Sequence, residues 1–253
     1  MDNKVTHTSI GDIAVFTMGN DEQANAIDLS FCNAMLRALG DVERSGRYRA
    51  VILRATGNIF CAGGNLVQIL DGLERSDGSL ESLIDALNAV ILAIRHLPIP
   101  VIASVQGAAA GAGFSLAMAC DLVVASRAAR FVVGYAKLGT STDGGLSFHL
   151  AARLGAAQAL QVLLVRDALG ADDASAMGLV QHVTDSAELG QVTLAIAQKI
   201  AELPPLAVNQ MKSLVSMASE GGLQQHLEHE KRAFLKCAAT KEFHQRVAEF
   251  VRH

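Results

Sequence analysis

The chain has 253 residues, 51% of them apolar and 18% charged, with a formal charge of −4. That is enough apolar chain to bury a large core in one main domain with an appendage. A pI near 6.0 and the lack of any long Lys/Arg run exclude nucleic acid and anionic membrane as main partners. Four cysteines, Cys32, Cys61, Cys120 and Cys237, lie far apart with no CxxC pair. They read as free thiols in a reducing cytoplasm rather than as disulfides or a zinc site. The start, Met1-Asp2-Asn3-Lys4, lacks the apolar stretch of a secretory leader, so a cytoplasmic location is expected.

In chain order, Val5 to Thr17 alternates around Gly11-Asp12 and predicts a hairpin. Asp28 is placed to cap a helix in which Cys32, Met35, Leu39 and Val42 share a face, with Gly46 as its end. A buried strand follows at 50–54. A polar, Gly-containing loop is expected near 71–79, then an amphipathic helix over about 80–95 that stops before Leu97-Pro98-Ile99-Pro100. From Leu97 to Cys120 there is no charge, a length that can span a bilayer. Two prolines, Gln106 and three glycines instead favour strand, turn and buried helix. Leu122–Ala125 and Arg130–Val133 predict two short strands. The loop from Gly139 to Gly145 opens a helix through Leu154, and the remainder reads as largely helical, broken at Pro204-Pro205. The pattern is α/β, with a core over 1–195 and a helical C-terminal part over 196–253.

Two stretches each run an apolar strand into small residues and then a helix. One is Ala50–Leu53 followed by Phe60-Cys61-Ala62-Gly63-Gly64-Asn65-Leu66. The other is Val101–Val105 followed by Gly107-Ala108-Ala109-Ala110-Gly111-Ala112-Gly113-Phe114. Small residues let a ligand approach the backbone, and a helix start offers unpaired N–H groups. Two such turns side by side can aim two donors at one developing negative charge, the design of an oxyanion hole.

Together with Gln23-Ala24-Asn25-Ala26-Ile27, Ala119-Cys120-Asp121-Leu122 and Ala174-Ser175-Ala176-Met177-Gly178-Leu179-Val180, these stretches resemble the crotonase, or enoyl-CoA hydratase/isomerase, superfamily. The matches occur in the family's order over nearly the whole chain. The resemblance implies a spiral of ββα units in two sheets, with C-terminal helices that build homotrimers or homohexamers. It implies an acyl-CoA substrate whose thioester oxygen sits between the N–H groups of Gly64 and Ala112. Ala24, Ala26, Gly64, Asn65, Leu66 and Val67 are expected along the CoA arm, and Phe250 near the CoA of a neighbouring subunit, where the family's Glu-Gly is Gln245-Arg246. Coenzyme A arrives as part of the substrate; no metal or other cofactor is implied.

The hydratases of this family use two glutamates to hold a water. In register those positions are Ser115 and Tyr135, and neither is a carboxylate near neutral pH. The carboxylate on offer is Asp143, in a loop that resembles the Pro-Asp-x-Gly loop of isomerase-type members with Thr142 in place of proline. The implied reaction is isomerisation of a 3-enoyl-CoA, or a related aryl-acetyl-CoA derivative, to a 2-enoyl-CoA, with Asp143 as proton shuttle. Such a base needs its pKa raised by an apolar pocket, for which Phe114, Tyr135, Leu146 and Phe148 are candidate walls. A haloaryl-CoA dehalogenase shares an aspartate in this loop but needs a histidine where Asn88 stands, and 80–95 contains none. A hydratase-type lyase working through other groups and a non-catalytic acyl-CoA binder complete the alternatives. His149 reads as a satisfied interior or surface residue, and His226 and His229 as part of a solvated helix face.

Overall fold

The computed structural model describes residues 4–218 and 221–252. Residues 1–3, on which part of the leader reading rests, lie outside them. The chain opens with the antiparallel hairpin of β1 (Val5–Ile10) and β2 (Ile13–Met18), closed as Ile10 pairs with Ile13. Helix α1 (Leu29–Ser45) follows; Asp28 caps it by accepting from the Phe31 N–H at 2.8 Å, and left-handed Gly46 ends it. Lys4 also pairs with Asp28, tying the first residues to the helix start.

Three units then repeat a pattern of two strands and a helical segment. They are β3 (Ala50–Ala55) and β4 (Ile59–Cys61) with α2 (Leu66–Arg75) and α3 (Ser79–His96); β5 (Val101–Val105) and β6 (Ala108–Ala110) with α4 (Ala112–Ala119); and β7 (Leu122–Ser126) and β8 (Arg130–Val132) with α5 (Leu146–Leu154). In each unit the first strand joins one sheet and the second joins another, which makes the chain a spiral. After α6 (Ala156–Val165) come β9 (Ala168–Gly170), α7 (Ala171–Ala176) and β10 (His182–Thr184). The six-stranded sheet runs β1-β2-β3-β5-β7-β10 and the four-stranded sheet β4-β6-β8-β9.

Both faces of the larger sheet are covered, so its strands are apolar runs rather than strict alternations. Phe16, Val51, Leu53 and Ala103 face the main core with α1, α3, α4 and α5, while Ile13, Val15, Ile52, Ile102 and Val124 face α8 (Leu189–Ala201). Residue 196, the expected start of the C-terminal part, lies within α8. The chain leaves the sheet only at Leu203-Pro204, after which α9 (Pro205–Met217), α10 (Leu223–Ala238) and α11 (Lys241–Val251) contribute almost no fully buried side chains. The uncharged stretch 97–120 is divided among β5, β6 and α4. Among the described residues no helix is long and apolar enough to cross a membrane.

Three expectations need correction. The loop at 71–79 is confined to Ser76–Gly78, because α2 runs on to Arg75 and left-handed Ser76 ends it. Gly72 suggested a loop, but its missing side chain serves contact between helices: a Cβ there would fall 2.1 Å from Ser79 Oγ. The alanine run 108–110 is strand β6 rather than turn, paired on both sides by β4 and β8. The region read as largely helical contains β9 and β10, three residues each and held by pairing with β8 and β7.

The segment before α1 is fixed by Asn25, 2% exposed and left-handed at φ 54°. Its amide donates to the carbonyls of Thr56 (3.0 Å) and Ile59 (2.9 Å) and accepts from the Asn20 N–H (2.9 Å). Asn25→Ala orphans these groups and is expected to lower stability by about 1–3 kcal/mol, read as a fall in the urea midpoint at constant slope.

Candidate active site

The two small-residue turns do lie side by side. Gly63, at φ 96°, carries the first turn over the second: a Cβ on it would sit 2.8 Å from the Ala110 carbonyl oxygen and 3.4 Å from the Ala112 nitrogen. The peptides flanking Gly64 are pinned to the 24–27 segment. Ile27 N–H donates to the Gly63 carbonyl (2.7 Å), Asn65 N–H to the Ile27 carbonyl (2.9 Å), and Ala62 N–H to the Ala24 carbonyl (3.0 Å). At the start of α4, the N–H groups of Phe114 and Ser115 turn back onto Gly111 (2.9 and 3.1 Å). Among the described residues the N–H groups of Gly64 and Ala112 enter no turn, loop or cap hydrogen bond.

Every residue of α4 is buried and none is charged. Its open N-terminus faces the site, with the positive end of the helix dipole behind Ala112. Its far end is held by Arg153 of α5, which the sequence reading missed. The guanidinium donates to the carbonyls of Met118 (2.8 Å) and Cys120 (3.2 Å). A lone arginine on the core-facing side of an apolar helix was the available signal. Asp121, just beyond, accepts from the Val101 N–H (2.8 Å) and from Lys212 of α9 (2.7 Å).

Ser115, Tyr135 and Asp143 come together beside this turn. Tyr135 follows β8, and its hydroxyl donates to Asp143 Oδ1 at 2.6 Å. Ser115 Oγ lies 3.0 Å from the same hydroxyl and 3.0 Å from the Asp143 carbonyl oxygen. Burial raises the Asp143 pKa from its ordinary value, opposed by the Tyr135 hydrogen bond and by its own backbone N–H. Burial also raises that of Tyr135, with the Asp143 charge and hydrogen bond adding to it, so the phenol stays protonated. Cys61 is pushed up to about 12 by burial and is no thiolate near neutral pH.

Of the expected walls, Phe114, Tyr135 and Leu146 are buried. Phe148 is not a wall: it is 63% exposed. Leu146, His149 and Leu150 form the inward face of α5, and helical spacing turns residue 148 away from it. Leu66 and Val67 are exposed at the start of α2, which Asn65 caps by accepting from the Gln68 N–H (3.2 Å). Phe250 stands apart within one chain. It is 85% exposed on α11, beside a cavity of about 340 Å³ that Pro204, Leu206 and Phe243 also line. On α10, His226 is largely covered and leaves Nδ1 without a partner, so it is not the solvated group expected.

An interleaved two-sheet spiral with trailing C-terminal helices is the arrangement of the crotonase fold. The model of the enoyl-CoA hydratase/isomerase family matches residues 9–253, and the chain belongs to that family. It is 26% identical over 239 residues to the trans-2-decenoyl-[acyl-carrier-protein] isomerase of Streptococcus mutans, covering 94% of this chain and 91% of that one. It is 29% identical over 228 residues to the 1,2-epoxyphenylacetyl-CoA isomerase of Escherichia coli, covering 90% and 87%. The crystal structure of an enoyl-CoA hydratase from Polaromonas sp. JS666 superposes with a TM-score of 0.94 at 35% identity, covering 98% and 96%.

His149 is interior, as one of its two readings had it, and its ring packs against Gly145 with no hydrogen bond among the described residues. Burial lowers its pKa to about 4, with Arg153 and Arg95 adding to the effect. The unfolded chain therefore binds more protons between about pH 4 and 6.5, and stability falls as pH drops through that window. His149→Gln is expected to remove this component, at most about 3 kcal/mol, from the pH dependence of chemical unfolding.

Proposed function

We propose that this enzyme isomerises a 3-enoyl-CoA to the conjugated 2-enoyl-CoA, with Asp143 carrying the proton. The observation that supports this reading is that the Asp143 carboxylate accepts from Tyr135 while Ser115 holds the Asp143 backbone carbonyl, Ser115 and Tyr135 being the two residues that stand in register where hydratases carry glutamates. Relatives named as hydratases and as isomerases match at comparable identity, so the reading rests on the site rather than on the names.

In this mechanism the thioester oxygen accepts from the N–H groups of Gly64 and Ala112. Asp143 takes a proton from the carbon beside the carbonyl, and the dienolate charge gathers on the held oxygen. The new carboxylic acid then returns the proton two carbons along, and the double bond moves into conjugation. A donor of this kind contributes about 10²–10³ in rate. A carboxylate whose pKa is raised by burial is the better base, because it works closer to ambient pH.

The CoA arm runs past Ala24, Ala26 and Asn65–Val67 in this reading. The exposed apolar start of α2 offers cover for the substrate, and Phe250 reaches the CoA of a neighbour in a homotrimer or homohexamer. The reaction moves a proton within one molecule and asks for no metal or redox cofactor. A 1,2-epoxyphenylacetyl-CoA isomerase among the relatives makes an aryl-acetyl-CoA derivative the second substrate to try.

Asp143→Asn is expected to lower 3-enoyl-CoA isomerisation by about 10²–10⁴, with crotonyl-CoA hydration slow in both proteins. Both rates are read by absorbance of the conjugated thioester. Hydration that is fast and survives the substitution would overturn the assignment.

A further inference from the structure

We propose that Ser115 and Tyr135 form a relay of two hydroxyls in which Tyr135 clamps Asp143 through Oδ1 and Ser115 braces both, leaving Oδ2 as the one atom that takes and returns the proton. This inference rests on the isomerase reading for its chemistry but on hydrogen-bond geometry for its substance.

The direction follows from counting protons. An ionised carboxylate only accepts, so the 2.6 Å contact with Tyr135 uses the one proton that the phenol has. Ser115 also has one proton, and three oxygens lie within its reach: the Tyr135 hydroxyl and the Asp143 carbonyl at 3.0 Å each, and the Gly111 carbonyl at 3.3 Å. The directed bond is Tyr135 to Asp143, with Ser115 bracing the phenol and the Asp143 backbone. When Oδ2 takes a proton from substrate, Oδ1 still accepts from Tyr135, so this bond persists in both states of the carboxyl group. Among the described residues no other side chain donates to Oδ2.

The relay is also built to stay in place. Ser115 is fully buried on α4, three residues beyond Ala112, and Tyr135 is 7% exposed. The group that carries the proton is thereby tied to the helix that supplies an oxyanion donor, and an error in one position is an error in both. Other neighbours add little: α3 presents Leu87 to the Asp143 loop, β4 presents the protonated thiol of Cys61, and α5 presents neutral His149 beyond Gly145. Among the described residues no lysine or arginine contributes to the charge balance of Asp143. The Tyr135 hydrogen bond is thus the chief influence that favours the ionised form, set against burial. Tyr135 acts here as a positioning residue.

The test follows Asp143 by carbon-13 NMR in protein labelled at aspartate carboxyl carbons, with Asp143→Asn identifying the resonance. Removing the phenol proton in Tyr135→Phe takes away a bond to the charged form, so the carboxyl is expected to titrate at higher pH than in wild type. The acidic limb of kcat/KM should move up with it while KM is unchanged. Ser115→Ala, which keeps the tyrosine, is expected to shift the resonance the same way by less, and it serves as the second variant should Tyr135→Phe fail to fold. An unchanged or lower titration in either variant overturns the relay. An upward shift in protein that isomerises no substrate upholds the relay and overturns the reaction. Isomerisation with an unmoved resonance does the reverse.

Discussion

Helix α4 is short, uncharged and buried along its whole length, and the rest of the molecule is arranged around what its two ends require. A buried helix end cannot leave its polar groups to water. At the C-terminal end Arg153 satisfies two carbonyls, and Asp121 immediately after it gathers Val101 N–H and Lys212. At the N-terminal end Phe114 and Ser115 are satisfied by Gly111, while Ala112 is left open beside Gly64. One end is closed by the protein, and in the proposed mechanism the other receives the ligand. That asymmetry holds only because α3, α5 and β4 pack against the helix and fix its tilt.

The carboxyl chemistry depends on the same helix. Ser115 projects from its first turn and reaches Tyr135 and the Asp143 backbone, so Ala112 and Asp143, the proposed oxyanion donor and proton carrier, share one support. Burial and a phenol act on Asp143 in opposite senses. Burial alone makes a stronger base that is protonated too readily, and the hydrogen bond restrains it. A catalytic carboxylate near neutral pH needs both influences.

Much of this was legible in the residues. The two small-residue turns, the Asp28 cap, the Gly46 stop and the hairpin at Gly11-Asp12 are local signals, and each is set by chemistry within a few positions. Asp143, Ser115 and Tyr135 were each singled out, but their hydrogen bonds were not, because 8 to 28 residues of turn and loop separate the partners and spacing says nothing across such gaps. Gly72 misled because a glycine that admits a neighbouring helix looks the same in sequence as one that opens a loop. Strands β6, β9 and β10 escaped because three residues carry no period, and pairing with strands elsewhere makes them. Arg153 was passed over as one charge among many on helices, although its carbonyl partners lie 33 and 35 residues away.

The central claim is that one carboxyl group carries the proton from one substrate carbon to another. The most direct measurement is single turnover of a 3-enoyl-CoA carrying deuterium at C2, with the product's label located by NMR and mass spectrometry. A single shuttle sheltered from solvent delivers a substantial part of the deuterium to C4 of the 2-enoyl-CoA. Complete loss of the label to water, or product carrying a new hydroxyl at C3, would contradict it.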